Sequence, residues 1–160
     1  MHDFTADLSQ PKPAFYRELL SSADALTAGE PDAIANMANL AALVWQLVPE
    51  LNWAGFYRRV EEELVLGPFC GKPACIRIPL GRGVCGTAAA SGASQLVDDV
   101  HAFAGHIACD AASRSELVVP VLRDGNVIAV IDLDSPRPAR FDAADQAGFE
   151  ALAQLVAFRI

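Results

Sequence analysis

Ser115-Glu116-Leu117-Val118-Val119-Pro120-Val121-Leu122 and Asn126-Val127-Ile128-Ala129-Val130-Ile131-Asp132-Leu133-Asp134, separated by Arg123-Asp124-Gly125, decide the fold of this chain. Both runs are rich in β-branched residues and meet at turn formers, the pattern of an antiparallel hairpin. Two acids interrupt the second run. Asp132 and Asp134 lie two apart, so strand alternation sends both carboxylates to one side, the side of Ile128 and Val130. The register then determines whether Glu116 joins them. A three-residue loop Arg123-Asp124-Gly125, with Gly125 in the left-handed bulge position, pairs Leu122 with Asn126 and sets Glu116 opposite Asp132. A two-residue turn at Asp124-Gly125 sets Glu116 opposite Leu133, on the other face. The sequence leaves both registers open, and the plainer reading of the acids is that they end a strand before Ser135-Pro136. Acids that do share a patch raise at least one carboxyl pKa through burial and repulsion. Such a carboxyl can donate a proton while an ionised neighbour holds an ammonium.

Outward from the hairpin, Asp142 is placed to cap a closing helix through Phe149, Leu152 and Val156. At the other end Phe15, Leu19, Ala23 and Leu26 recur at helical spacing until Gly29-Glu30-Pro31 interrupts. Pro31 suits the first turn of a second helix with the apolar stripe Ile34, Met37, Ala38, Ala41, Trp45 and Val48. From Leu51 the period becomes two, and residues 53–60 and 63–66 read as a hairpin around an acidic turn. A long connection over 67–112 follows, with one short helix at 83–91 and one short strand at 94–97. The order predicts one α+β domain over residues 1–160. Helices occupy 1–49; a central antiparallel sheet, the loops and the last helix occupy 51–160, with the helices packed mainly on one face.

The chain has 160 residues, about one ordinary domain. Its 52% hydrophobic and 20% charged composition excludes a disordered chain. Twelve basic residues against 20 acidic ones give a net charge of −8, the wrong sign for neutralising phosphates, so nucleic acid is not an expected partner. The N-terminus lacks the basic and apolar regions of a secretory signal, and no run reaches the roughly 18 apolar residues of a membrane helix. A cytoplasmic protein with reduced thiols is expected.

Four cysteines, Cys70, Cys75, Cys85 and Cys109, fall in the long connection with 4, 9 and 23 residues between them. These gaps lack the paired knuckles of structural zinc sites, and His101, His106 and Cys109 match no strong ligand motif, so no metal is expected. Redox chemistry fits better: a thiolate attacks an electrophile, becomes a sulfenic acid and is resolved by a neighbouring thiol. Composition does not rank the four, and the nearby acids Asp110 and Glu116 oppose thiolate formation.

The stretch Gly67-Pro68-Phe69-Cys70-Gly71-Lys72-Pro73-Ala74-Cys75-Ile76-Arg77-Ile78-Pro79, followed by Gly83-Val84-Cys85-Gly86-Thr87-Ala88-Ala89, resembles the free methionine-R-sulfoxide reductases, a family of GAF domains. Asp99-Val100-His101-Ala102-Phe103-Ala104-Gly105-His106-Ile107-Ala108-Cys109-Asp110, residues 113–120, Ile131-Asp132-Leu133-Asp134-Ser135-Pro136 and Phe141-Asp142 resemble the same family. The likeness covers most of the chain from about Leu51 onward. It implies a cytoplasmic, homodimeric enzyme with a GAF-like fold that reduces the R epimer of free methionine sulfoxide through a sulfenic acid and an intramolecular disulfide. It further implies no metal or organic cofactor, and an external dithiol such as thioredoxin as reductant.

By that resemblance Cys109 is the nucleophile, Cys75 the resolving thiol and Cys85 a third redox cysteine. Glu116, Asp132 and Asp134 become the substrate-binding acids, with Glu116 and Asp134 counted among the catalytic groups. Trp53 and Tyr57 become the aromatic pair that holds the methyl end of the substrate. Cys70 stands outside the family's three cysteines, either inert or able to divert the disulfide from Cys75. The chemistry is consistent with the residues: cleaving a sulfoxide S–O bond needs a thiolate at sulfur and a proton on oxygen. A carboxylate that holds an ammonium accepts a free amino acid and rejects a peptide-bound one. The alternatives are a non-catalytic GAF sensor of a small ligand, for whose output domain 160 residues leave no room, and a peroxide-reducing thiol protein, which has no use for three acids.

Overall fold

The computed structural model describes residues 4, 5, 7, 9–105 and 111–160; Cys109, His106 and Asp110 lie outside the described residues. In chain order the elements are α1 (Lys12–Thr27), α2 (Ala33–Leu47), β1 (Trp53–Val60), β2 (Glu63–Gly71), β3 (Arg77–Pro79), α3 (Gly83–Ser91), β4 (Gln95–Val97), a 3-10 turn (Val100–Ala102), β5 (Ser115–Arg123), β6 (Asn126–Ser135) and α4 (Ala143–Val156). The strands form one sheet in the order β3-β2-β1-β6-β5-β4, antiparallel throughout. This is the predicted α+β class.

The central hairpin adopts neither of the two registers read from the sequence. Asp124 and Gly125 form a two-residue turn with φ of 51° and 79°, both left-handed as this tight hairpin requires. Arg123 pairs with Asn126 and Leu122 with Val127, but Val121 pairs with Ala129, leaving Ile128 as an extra, bulged residue. The bulge restores the parity that the short turn alone would break, and Glu116 comes to lie opposite Asp134. Ile128 therefore leaves the face of the acids and packs on the opposite layer, while Val127 joins the acids' layer in its place.

On one side of the sheet Phe56, Leu117, Val119, Ile131 and Leu133 pack against Leu19, Leu40, Phe149 and Leu152 of α1, α2 and α4. On the other, Trp53, Tyr57, Val118 and Val130 are covered by α3 through Val84, Cys85 and Ala88. Helices thus lie mainly on one face, with α3 alone on the second.

Three further expectations change. Pro31 precedes α2 rather than opening it: Asp32 is the cap, its carboxylate accepting from the Ala35 N–H, and the helix starts at Ala33. The buried stripe of α2 is Met37, Leu40, Ala41, Leu43, Val44 and Leu47, whereas Ile34 and Trp45 turn outward at 48% and 41% exposure. Leucines at positions 40, 43 and 47 supply the more apolar face, and the helix rotates to bury it. Finally, β2 runs on to Gly71 and β3 adds an edge strand, both within the stretch read as loop. Gly67 and Pro68 suggest a strand end, but both face Phe56 at a register shift, where a missing N–H breaks no ladder. Among the described residues no helix is long and apolar enough to cross a membrane.

The closing helix is fixed as the sequence predicts. Asp142 and Asp145 form a capping box at its start. Lys12 Nζ lies 2.7 Å from Asp142 and 2.6 Å from Asp145, and the Tyr16 hydroxyl donates to Asp145 at 2.7 Å. The Tyr16 ring is thereby held against Gly148, where a Cβ would sit 2.2 Å from the ring. Gly148→Ala opposes two effects: a gain of about 1 kcal/mol in helix propensity and an overpacking cost of about 1–3 kcal/mol. The pinned ring makes the second prevail. Urea unfolding should show a net loss of up to about 2 kcal/mol.

Candidate active site

The hairpin bulge puts Glu116 of β5 and Asp132 and Asp134 of β6 on the face covered by α3. Glu116 and Asp132 are each only 6% exposed. Cys85 of α3 reaches down to them, its thiol donating to Glu116 Oε1 at 3.9 Å. One donor atom from each of Cys85, Glu116 and Asp132 lies within 4.8 Å of the others. Asp132 Oδ1 is buried with no hydrogen-bond partner.

Burial dominates the electrostatics. It pushes the Glu116 carboxyl well above its ordinary value, and the charges of Asp132 and Asp134 push in the same direction. Asp132 is pushed up to about 6 by burial, against hydrogen bonds from Cys85 and Glu116 that stabilise its anion. The Cys85 thiol is raised well above its usual range, first by burial and then by Asp132 and Glu116. Burial and mutual repulsion thus favour a proton on the pair, Glu116 being pushed up by the charge of Asp132 while its hydrogen bond stabilises the Asp132 anion. A sulfur and two oxygens are a donor set suited to a borderline cation such as zinc. A thiol and an acid that keep their protons ligate poorly until they lose them.

Trp53 and Tyr57 line the same face from β1, where Trp53 pairs with Asp134, Gly55 with Asp132 and Tyr57 with Val130. Their rings stack with centroids 5.8 Å apart at 21°. Phe69 of β2 extends the stack, 5.2 Å from Trp53 at 12°. Phe69 was not among the residues singled out from the sequence. It reaches the site because Gly55, between the two β1 aromatics, has no Cβ; one there would sit 2.4 Å from Phe69 Cβ. A glycine two residues from each of Trp53 and Tyr57 is the only hint that the sequence carries. The polar ends of the pair point into the segment after β2: Trp53 Nε1 donates to the Lys72 carbonyl at 3.1 Å and the Tyr57 hydroxyl to the Cys75 carbonyl at 3.0 Å.

Among the cysteines, Cys75 is disulfide-bonded while Cys70 and Cys85 are free thiols. Cys70 pairs with Ala54, whose side chain belongs to the helical layer, so Cys70 faces away from the aromatic stack. His101 is exposed on the 3-10 turn. The arrangement gathers Glu116, Asp132, Asp134, Cys85, Trp53 and Tyr57 on one side of the sheet: a proton donor, an anion and an apolar wall side by side.

The family model described as GAF domain matches residues 18–160, so fold and site alike define a GAF domain. The free methionine-R-sulfoxide reductase of Escherichia coli is 51% identical over 146 residues, 91% of this chain and 87% of that protein. The protein of the same name from Saccharomyces cerevisiae is 42% identical over 153 residues, 91% of this chain and 85% of that one. The X-ray structure of free methionine-R-sulfoxide reductase from Neisseria meningitidis in complex with its substrate superposes with a TM-score of 0.93 at 44% identity, covering 99% of this chain and 95% of that one. The chain belongs to the free methionine-R-sulfoxide reductase family of GAF-domain enzymes.

The raised carboxyl has a consequence for stability. The folded state binds a proton that the unfolded chain releases between the ordinary aspartate value of 3.8 and about 6. Stability from this group is complete below the lower value and is lost as pH rises through the upper one. Urea unfolding at pH values of about 4 and about 7 should show Asp132→Asn losing less stability over this interval than the unsubstituted protein.

Proposed function

We propose that this chain reduces free methionine-(R)-sulfoxide to methionine, with Cys109 as nucleophile and Cys75 as resolving thiol. The observation that carries the reading is the buried Glu116–Asp132 pair beside the stacked aromatics, whose burial and mutual repulsion favour a protonated carboxyl. The thiolate of Cys109 attacks the sulfoxide sulfur, Glu116 protonates the departing oxygen, and that oxygen transfers to Cys109 as a sulfenic acid while methionine leaves. Asp132 and Asp134 hold the substrate ammonium, a role for which the partnerless Asp132 Oδ1 is suited. Trp53 and Tyr57, joined by Phe69, pack against the methyl group. The Tyr57 proton is engaged by the Cys75 carbonyl, which leaves a carboxyl as the proton donor.

Cys75 then condenses with the sulfenic acid, releasing water and forming a disulfide. In support, Cys75 is disulfide-bonded while Cys70 and Cys85 are free. A dithiol such as thioredoxin resets the enzyme by thiol–disulfide exchange, with no metal or organic cofactor in the cycle. The redox part that the sequence resemblance gives Cys85 is opposed by its surroundings, since a thiol held protonated is a poor nucleophile. Its hydrogen bond to Glu116 suits it to orient that acid instead. The cytoplasmic homodimer implied by the resemblance completes this reading.

The test is methionine formation from each epimer of free methionine sulfoxide, with dithiothreitol and with thioredoxin. The R epimer should turn over with both reductants, and Cys109→Ser should lose at least about 10³-fold. Turnover absent with either reductant would instead favour a ligand-binding GAF sensor. Glu116→Gln should lower sulfoxide reduction by about 10²–10⁴-fold while affecting peroxide consumption far less. Equal loss of both activities would point to a general thiol peroxidase. N-acetylated methionine sulfoxide, which lacks the ammonium, should be reduced at a small fraction of the rate of the free amino acid.

A further inference from the structure

Residues 72–76, which carry Cys75 from the end of β2 to β3, belong to no helix or strand. Three backbone carbonyls fix this segment. Lys72 O accepts from Trp53 Nε1 at 3.1 Å, Cys75 O from the Tyr57 hydroxyl at 3.0 Å, and Ile76 O from the Leu66 N–H at 2.9 Å. Two of the three donors are the polar ends of the very aromatics that wall the substrate pocket. Both rings are packed in place: Trp53 and Tyr57 are 4% and 1% exposed, and they stack on one another in a strand paired on both sides. The segment itself is outside this core, with Lys72, Pro73 and Ile76 exposed and Cys75 half-buried. The two side-chain bonds and the Ile76 carbonyl tie it to the sheet.

We propose that Tyr57 is a positioning residue for Cys75: its hydroxyl holds the Cys75 backbone where the thiol can meet the oxidised nucleophile, and so sets the rate at which the disulfide closes. This rests on the functional reading above, with Cys109 as the residue oxidised by the sulfoxide. In the step concerned, the Cys75 sulfur attacks the sulfenic sulfur of Cys109. The S–O bond breaks as the S–S bond forms, and the hydroxyl leaves with the Cys75 proton as water, so no further oxidant is needed. The Tyr57 bond is present in the disulfide-bonded form of Cys75, the product of this step. Burial, then the neighbouring Asp132, hold the Tyr57 hydroxyl protonated, so it remains a donor throughout the cycle. Small displacements of a reacting group cost large factors in rate, and a loop tied at fewer points spends less time in reacting geometry.

Tyr57→Phe removes the hydroxyl and keeps the ring and its stacking. The reduced variant is mixed with free methionine-(R)-sulfoxide in the absence of reductant, and methionine release, loss of free thiols and dimedone labelling of Cys109 are followed together. We expect the variant to release about one methionine per subunit but to close its disulfide about ten-fold or more slowly, with dimedone-trapped sulfenic acid accumulating in the interval. In steady state a high concentration of dithiothreitol, which attacks the sulfenic acid itself, should restore turnover that thioredoxin does not. Trp53→Phe, which drops the bond at the other end of the segment, should slow closure in the same way. Disulfide closure at the unsubstituted rate in Tyr57→Phe overturns the proposal, as does slowed methionine release with no trapped sulfenic acid. Failure of the unsubstituted protein to release methionine from the R epimer would overturn the functional reading itself, and is told apart by needing no variant.

Discussion

Two carboxyl groups and a thiol buried within 4.8 Å of one another cannot all be ionised. At about 4 Å, two like charges repel by roughly 4 kcal/mol even at an effective dielectric of about 20, before any cost of taking them out of water. A retained proton removes that repulsion, and burial pushes both Glu116 and Asp132 toward the protonated form. The same proton is chemically useful, since a buried carboxylic acid can donate it to a leaving oxygen. The rest of the structure serves to bring these groups together: β5 and β6 supply the acids, α3 closes over them with Cys85, and β1 supplies the apolar wall.

The two faces of the sheet divide the labour. One is filled by α1, α2 and α4 and has an apolar centre of Phe56, Leu117, Ile131 and Leu133. Burial there supplies most of the folding free energy, which allows the opposite face to carry acids at some cost in stability. The strands at the centre, β1 and β6, thus have alternate residues in two environments. Ala54 and Phe56 look to the helices, while Trp53 and Tyr57 look to the acids. The polar tips of Trp53 and Tyr57 continue past the pocket to the segment bearing Cys75. Each of these side chains thus lies beside the acids with its ring and bonds the Cys75 segment with its tip.

Much of this was legible before any coordinates. The α1 periodicity, the β1 alternation, the α3 helix and the Asp142 cap all appear where the pattern puts them, because each is governed by contacts within a few residues. The phase of α2 was not: Ile34 and Trp45 suggested a buried stripe, but the leucines on the adjacent face won the core. The extension of β2 through Gly67 and Pro68 was hidden because residues that break strands in general are harmless at a register shift.

The sequence by itself determined which groups exist and which neighbours they have on the same strand. Asp132 with Asp134 and Trp53 with Tyr57 share a side through the alternation of an extended chain, and the quoted motifs around Cys75, Cys85 and Cys109 carry the family resemblance. The tertiary structure alone decided what lies across the strands. The bulge at Ile128 turned a two-residue turn, which would have hidden Glu116 on the wrong face, into a register that sets it opposite Asp134. The bare Cα of Gly55 let Phe69 into the aromatic stack. Packing of α3 brought Cys85 to within reach of two carboxyls 31 and 47 residues away in the chain. Alternation is a property of the backbone and can be read along it. Register, bulges and cross-strand proximity are settled by which set of side chains buries best, and that comparison exists only once the strands have met.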